Sequence, residues 1–244
     1  MKKDYWIIRS KKYNELEWVK DTYLLDQLIQ FCDLKKTDIV HEVGCGTGIV
    51  SQAIVSKVKQ VVASDNALEM IAQLHTKKKI LTMCMDLESD IPFTNDFDKI
   101  IARMVFHHIT DLDKVAKKCH NMLRHGGYLI IQEGIPPSED RKIVNWYSKV
   151  MAIKEKRNTF TETGMHLFLS LAGFRNIESK VIIDKNFSVR NWLESSGQSE
   201  EIIEKVYELH RKAPYYIKKA YNMQVKKDDI LIDTKILLIK GLVI

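Results

Sequence analysis

Four cysteines in 244 residues, none of them in a CxxC pair, leave this chain without zinc-cluster ligand spacing and without a disulfide scaffold. Cys32, Cys45, Cys84 and Cys119 are expected to be small buried hydrophobes in a reducing compartment. No apolar run approaches the roughly 18–20 residues needed to cross a bilayer. The first residues, MKKDYWIIRSKKY, are basic, but Ile7 and Ile8 make too short an apolar core for a secretory signal, so a cytoplasmic location is expected. Internal repeats and low-complexity segments are also lacking. Charge of one sign is not concentrated anywhere: the net charge is +6, and runs such as Lys77–Lys79 and Lys226–Lys227 read as solvated turns or helix ends. A nucleic-acid partner is permitted by this balance but not indicated by it. What remains, 45% hydrophobic and 29% charged residues, is a globular composition long enough for one α/β domain.

Against that background the stretch HEVGCGTGIVS at 41–51 stands out. It closes a β-branched run with Gly44, Gly46 and Gly48 at alternate positions and leads into a helix-compatible segment. Strand, glycine turn and helix start together suit a nucleotide-like ligand, because glycine permits positive φ and close approach while the helix start offers unpaired N–H groups. A dinucleotide fingerprint wants a third small residue at position 49, which holds Ile49 instead, and Glu42 precedes the turn.

Residues 15–32 carry apolar side chains at helical spacing. Short β-branched runs then recur at 39–44, 60–64, 80–85, 97–102 and 127–133, with amphipathic segments at 47–58, 67–76 and 111–124 between them. The last of these is expected to stop at His125-Gly126-Gly127. Strands alternating with helices predict βαβ units in a doubly wound, mostly parallel sheet. After Pro136-Pro137, Ser138 can cap a long helix to about Arg157, and a second helix at 161–172 ends at Gly173. Strand-like segments at 176–184 and 234–244 flank a helical block at 188–224, and the final TKILLIKGLVI reads as an antiparallel strand inside the sheet. The expectation is one α/β domain over 1–244 with a seven-stranded sheet, a ligand-binding core at about 20–135, and a helical cover from 136–173 and 188–224.

In an open α/β sheet, ligands bind at the carboxyl ends of the strands, so each strand end is a candidate position. The first supplies Glu42 and the glycines, the second Asp65, the third Asp86 followed by Leu87, and the fourth Arg103 and Met104 with Phe106, His107 and His108 just beyond. A carboxylate at Asp65 can accept two hydrogen bonds from a ribose diol.

These pieces, EVGCGTG at 42–48, Asp65, Asp86-Leu87 and LRHGGYLII at 123–131, resemble in order and kind the class I S-adenosylmethionine-dependent methyltransferases. The resemblance covers roughly residues 20–135. FHHI after the fourth strand and the closing KILLIKGL look like the small-molecule branch near the ubiquinone/menaquinone-biosynthesis methyltransferases. It implies a Rossmann-like fold and S-adenosyl-L-methionine as cofactor. It further implies that Glu42, Gly44, Cys45 and Gly46 hold the methionine part, and that Asp65 binds the ribose with Asn66 beside it. Met70, Asp86 and Leu87 would take the adenine. Arg103 would lie under the methionine moiety, or else pair with a carboxylate such as Glu133.

A sulfonium is already an activated methyl donor, so the protein's share is alignment, with a general base adding about 10²–10⁴-fold for a phenol or enol. His107 is the candidate base, and His108 is more often structural in the families it resembles. Side chains adjacent on a helix point about 100° apart, which also makes the pair a poor metal chelate, so no metal is expected. The aromatic residues Tyr5, Trp6, Tyr13 and Trp18 could form a lid. Trp146, Tyr147, His166, Phe168, Trp192, Tyr215 and Tyr216 lie where a cover would form, and suggest a small apolar or aromatic acceptor. Two other readings stay open: a methyltransferase of tRNA or another macromolecule, although RMVF replaces the (N/D)PP(Y/F) motif, and a non-catalytic cofactor-binding protein. A nicotinamide dehydrogenase is disfavoured by Ile49 and by the lack of a Tyr-x-x-x-Lys pattern.

Overall fold

Ile100, Ile101 and Ala102 are consecutive, apolar and wholly buried, and this run explains the architecture. Successive side chains on a strand point to opposite faces, so a strand this apolar must be covered on both sides. In the computed structural model, which describes residues 22–74, 78–89 and 92–244, that strand lies in the middle of a mixed sheet.

The strands are β1 (Ile39–Val43), β2 (Gln60–Asp65), β3 (Ile80–Cys84), β4 (Phe97–Arg103), β5 (Leu123–Ile135), β6 (Arg175–Ser188), β7 (Gln224–Val225) and β8 (Ile230–Leu242). Their order is β3-β2-β1-β4-β5-β8-β6, with β7 pairing β8. β1, β2, β3, β4 and β5 pair in parallel, whereas β8 runs antiparallel between β5 and β6. This is the doubly wound sheet with an inserted antiparallel last strand that the alternating pattern predicts. The eighth strand is additional: the short β7 lies at the end of the block expected to be helical.

The helices are α1 (Thr22–Cys32), α2 (Ile49–Ile54), α3 (Leu68–Ile71), α4 (Leu112–Met122), α5 (Arg141–Lys154), α6 (Glu162–Leu171), α7 (Val189–Glu194), α8 (Glu200–Arg211) and α9 (Tyr215–Ala220). One sheet face packs Val43, Ile100, Leu129 and Leu237 against Val115, Cys119, Met165 and Leu169. The other packs Val40, Ile101, Ile130 and Leu238 against Leu24, Leu28, Val50 and Ile54. A third cluster, Tyr147, Val150, Leu193, Val206, Ile217 and Tyr221 with Ile230 and Ile232, joins α5, α7, α8 and α9 into a cap. Helix α6, expected in the cover, instead lies along β6 and β8 as part of the main core.

Several boundaries differ from the sequence expectation. Helix α4 ends at Met122 because Leu123 is already extended and pairs with Phe97. The double glycine therefore sits inside β5, where Gly126 takes φ 82° and donates to the Val243 carbonyl at 2.8 Å. Asp140, not Ser138, caps α5: its carboxylate accepts from the Lys142 N–H at 2.8 Å, while the Ser138 hydroxyl accepts from the Asp140 N–H. Cys84 is exposed, although the other three cysteines are buried as expected.

Gly241 on β8 is packed so that an added Cβ would lie 2.7 Å from the Cβ of Phe174, which is fully buried. Gly241→Ala should therefore cost about 1–3 kcal/mol through overpacking, read as a lowered denaturant midpoint at unchanged slope. An unshifted midpoint would show that Phe174 can yield without cost.

Candidate active site

The strand order reverses at β1, which is flanked by β2 and β4, and the carboxyl ends of β1 to β5 open onto one rim. At the end of β1 the chain turns through Gly44 at φ 62° and Gly46 at φ 53°. A side chain at Gly44 would overlap the Val105 methyls, so left-handed backbone and close packing both require glycine there. The loop is held at its centre, where the Cys45 N–H donates to the Ser64 carbonyl and the Gly46 N–H donates to Asp65 Oδ2, each at 2.9 Å.

Asp65 Oδ1 accepts the Ala67 N–H at 2.9 Å, so this carboxylate ties the glycine loop to the start of the segment after β2. Burial raises its pKa, and the backbone N–H groups of Ala67, Gly46 and Asn66 oppose that rise. Asp86 makes an analogous local turn by accepting the Glu88 N–H. Its loop is pinned from below, because Glu88 Oε1 accepts the Thr110 and Asp111 N–H groups and Lys118 donates to the Glu88 carbonyl.

One cavity of about 800 Å³ runs along this rim and beneath the helical cap, near the upper end of the roughly 300–1,000 Å³ range of ligand sites. Gly44, Gly46, Asp65, Asn66, Met70, Asp86, Leu87, Arg103 and His107 all line it. Glu42 and Cys45 do not. They lie behind the loop around a small pocket shared with Arg103. Glu42 Oε2 accepts the Ser51 N–H at 2.8 Å and the Ser51 hydroxyl, so the acid is joined to the first turn of α2. Its burial pushes its pKa up to about 7, opposed by Ser51 and by the charge of Arg103. The Glu133 carboxylate, the other partner considered for Arg103, accepts from His107.

Met104, at φ 57°, turns the chain sharply after β4 and delivers Phe106–His108 as a single 3-10 turn. The buried Glu133 on β5 accepts both groups of His107: the backbone N–H at 3.2 Å and ring Nδ1 at 2.7 Å. Burial raises the Glu133 pKa, against the positive charge of Arg157. The two histidine rings lie side by side, with centroids 3.9 Å apart, and both line the cavity. The tight turn thus overturns the divergence expected from α-helical spacing. Ring nitrogens of His107 and His108 and a Glu155 oxygen come within 4.8 Å of one another, close enough to hold a metal ion. Lys154 and Arg157, at 3.1 and 3.5 Å from Glu155 Oε1, oppose a dication there.

The far wall comes from the cap. Trp146, Tyr147 and Trp192 line the cavity as expected, whereas His166 bonds Ser179, Phe168 packs on Phe106, and Tyr215 and Tyr216 are exposed. Lys154, Glu155, Arg157, Phe187, His210 and Tyr221 were not anticipated. Phe187 lies near the end of β6 and the others on or beside the cap helices, with no local motif to mark them. The suggested lid residues Tyr5, Trp6, Tyr13 and Trp18 lie outside the described residues.

Residues 41–131 match a methyltransferase-domain family model. Over those residues the chain carries a methyltransferase domain. Its fold is that of the class I, S-adenosylmethionine-dependent enzymes. An uncharacterised methyltransferase of Schizosaccharomyces pombe is 24% identical over 81% of this chain and 82% of its own length. A ubiquinone biosynthesis O-methyltransferase of Pseudomonas syringae is 30% identical over 36% of this chain and 40% of its own length. Several of the matched relatives are covered over less than half of their length. The YcgJ protein of Bacillus subtilis shares the fold with TM-score 0.79 at 15% identity, over 91% of this chain and 98% of that one. A Haemonchus contortus phosphoethanolamine N-methyltransferase solved with S-adenosyl-L-methionine has TM-score 0.62 at 15% identity, over 93% of this chain and 55% of that one.

The raised Glu42 pKa has a consequence for this methyltransferase domain. A group whose folded pKa exceeds its unfolded value stabilises fully below the unfolded pKa and loses that stabilisation as pH rises through the folded one. Between about 4.5 and about 7, ionisation of Glu42 should progressively weaken the fold. Glu42→Gln should thus gain stability relative to the parent between pH 5 and pH 8, read by urea melts at both pH values. A pH-independent difference would remove Glu42 as the source.

Proposed function

We propose that this chain transfers a methyl group from S-adenosylmethionine to a small organic acceptor. The observation that carries the reading is one cavity whose two ends differ. One end offers the carboxylates of Asp65 and Asp86 beside glycine backbone and apolar Met70 and Leu87, and the other offers a buried His–Glu pair facing aromatic side chains.

At the first end the donor set fits an adenosine group joined to an amino acid. Asp65 would take the ribose hydroxyls with the acceptor capacity that its backbone donors leave. Asn66 would lie beside the ribose, and Met70, Asp86 and Leu87 would hold the adenine. Gly44 and Gly46 would bind the methionine part, with the Gly44 carbonyl toward its ammonium, while Cys45 between them would hold the loop through its N–H to the Ser64 carbonyl. Glu42 would support this loop from behind through Ser51, and Arg103 would lie beneath. The cofactor supplies an activated methyl carried on a positively charged sulfur.

The protein's part is to fix the acceptor in line and to take its proton. His107 would take that step: its Nδ1 bonds Glu133, so Nε2 would be the atom for proton transfer, and the carboxylate favours the protonated ring afterward. The cap, with a core of its own over the cavity, favours a compact acceptor over a nucleic acid. The ubiquinone O-methyltransferase relative points the same way. The scattered cysteines fit a cytoplasmic setting; among the described residues, no helix is long and apolar enough to cross a membrane.

Three variants test this reading. Asp65→Ala should abolish S-adenosylmethionine binding in calorimetry while circular dichroism stays native, and unaltered binding would sink the cofactor assignment. His107→Asn should lower kcat by about 10²–10⁴-fold on an acceptor that must lose a proton. Glu133→Gln should lower kcat more than it changes KM and move the acidic limb of the pH profile downward, because the ring loses the carboxylate that favours its protonated form. An unmoved profile would deny Glu133 this positioning role.

A further inference from the structure

Arg157 is a buried arginine with too few partners. Its side chain is 9% exposed and lines the cavity, yet its single protein hydrogen bond runs from a terminal nitrogen to Glu155 Oε1 at 3.5 Å. Its Nε has none. A guanidinium carries five N–H donors in a planar fork matched to a carboxylate, and burying it so sparsely bonded is costly unless something else binds it.

The neighbouring acids do not supply that partner. Glu155 is shared with the ammonium of Lys154, which is nearer at 3.1 Å. Glu133 is committed to the backbone and ring of His107. The next residue in the chain fixes the location: the Asn158 N–H donates to the His107 carbonyl at 2.8 Å, and its side chain donates to the Ile109 carbonyl at 2.6 Å. Arg157 is thereby stitched against the turn that carries His107. The wall around it is aromatic, with Trp146, Tyr147 and Trp192, and Lys154 already places its ammonium 5.2 Å from the centroid of the Trp192 ring. A cationic ligand would meet a site whose aromatic face has its cation and whose arginine repels another.

We propose that Arg157 binds a carboxylate borne on an aromatic ring, and that the acceptor is therefore an aromatic acid. The carboxylate would take two parallel N–H donors of the fork, while the ring lies against the tryptophans. This deepens the methyl-transfer reading, resting on it only in calling the bound acid the acceptor.

The test is calorimetric titration of the full chain with 4-hydroxybenzoate and with its uncharged amide, 4-hydroxybenzamide, in the parent, Arg157→Met and Arg157→Lys. The parent should prefer the acid by about 10- to 100-fold, the range expected of charged hydrogen bonds. Arg157→Met should erase the preference, and Arg157→Lys should keep part of it. Equal binding of acid and amide by the parent overturns the proposal, as does an acid preference that survives Arg157→Met, or no binding of the acid at millimolar concentration. S-adenosylmethionine is titrated separately in the same proteins and should bind all three alike. A parent that fails to bind it defeats the methyl-transfer reading while leaving the acid preference to stand or fall by itself.

Discussion

β1 hydrogen-bonds in parallel to β2 on one side and to β4 on the other, so the chain builds β2 and β3 outward on one side and then crosses over to build β4 and β5 on the other. No loop can cover the gap between the ends of β1 and β4, and that gap becomes the site. Four of the strands on this rim carry a polar residue at or near their ends, where a side chain reaches the crevice: Asp65 closes β2, Asp86 follows β3, Arg103 closes β4 and Glu133 lies near the end of β5. The cavity is a result of topology first and of side chains second.

The rim holds more buried charge than a core tolerates without pairing, and its arrangement follows from that cost. Glu42 is answered by Ser51 and the field of Arg103, Glu133 by His107 and the field of Arg157, and Glu155 by Lys154. Where backbone N–H groups do the answering, as at Asp65, the same bonds also set the loop geometry. Charge compensation and loop shape are one feature here. Arg157 is the group for which the described protein partners fall short.

Much of this was legible in the chain. The strand–helix alternation, the glycine loop, and the acids ending β2 and β3 are local features, each confined to a few consecutive residues. They gave the sheet, its inserted last strand and the line of residues along its rim. The errors also have local causes. Ser138 and Asp140 are both good caps, and the turn geometry chose Asp140. Leu123 to Gly127 contains a helix stop and a strand start, and pairing with β4 and β8 settled it as strand.

By itself the sequence determined the fold class and the residues that end the strands along the rim, because those depend on periodicity and on short motifs that occupy one strand end each. Tertiary structure alone decided what lies opposite them. Glu133 and His107 are 26 residues apart, and Asn158 reaches back over 49 residues to the Ile109 carbonyl. Such partners share no spacing or pattern that a linear reading could detect. They meet because β5 lies beside β4 and because the cap folds over the rim, and it is their meeting that shapes the end of the cavity beneath the cap.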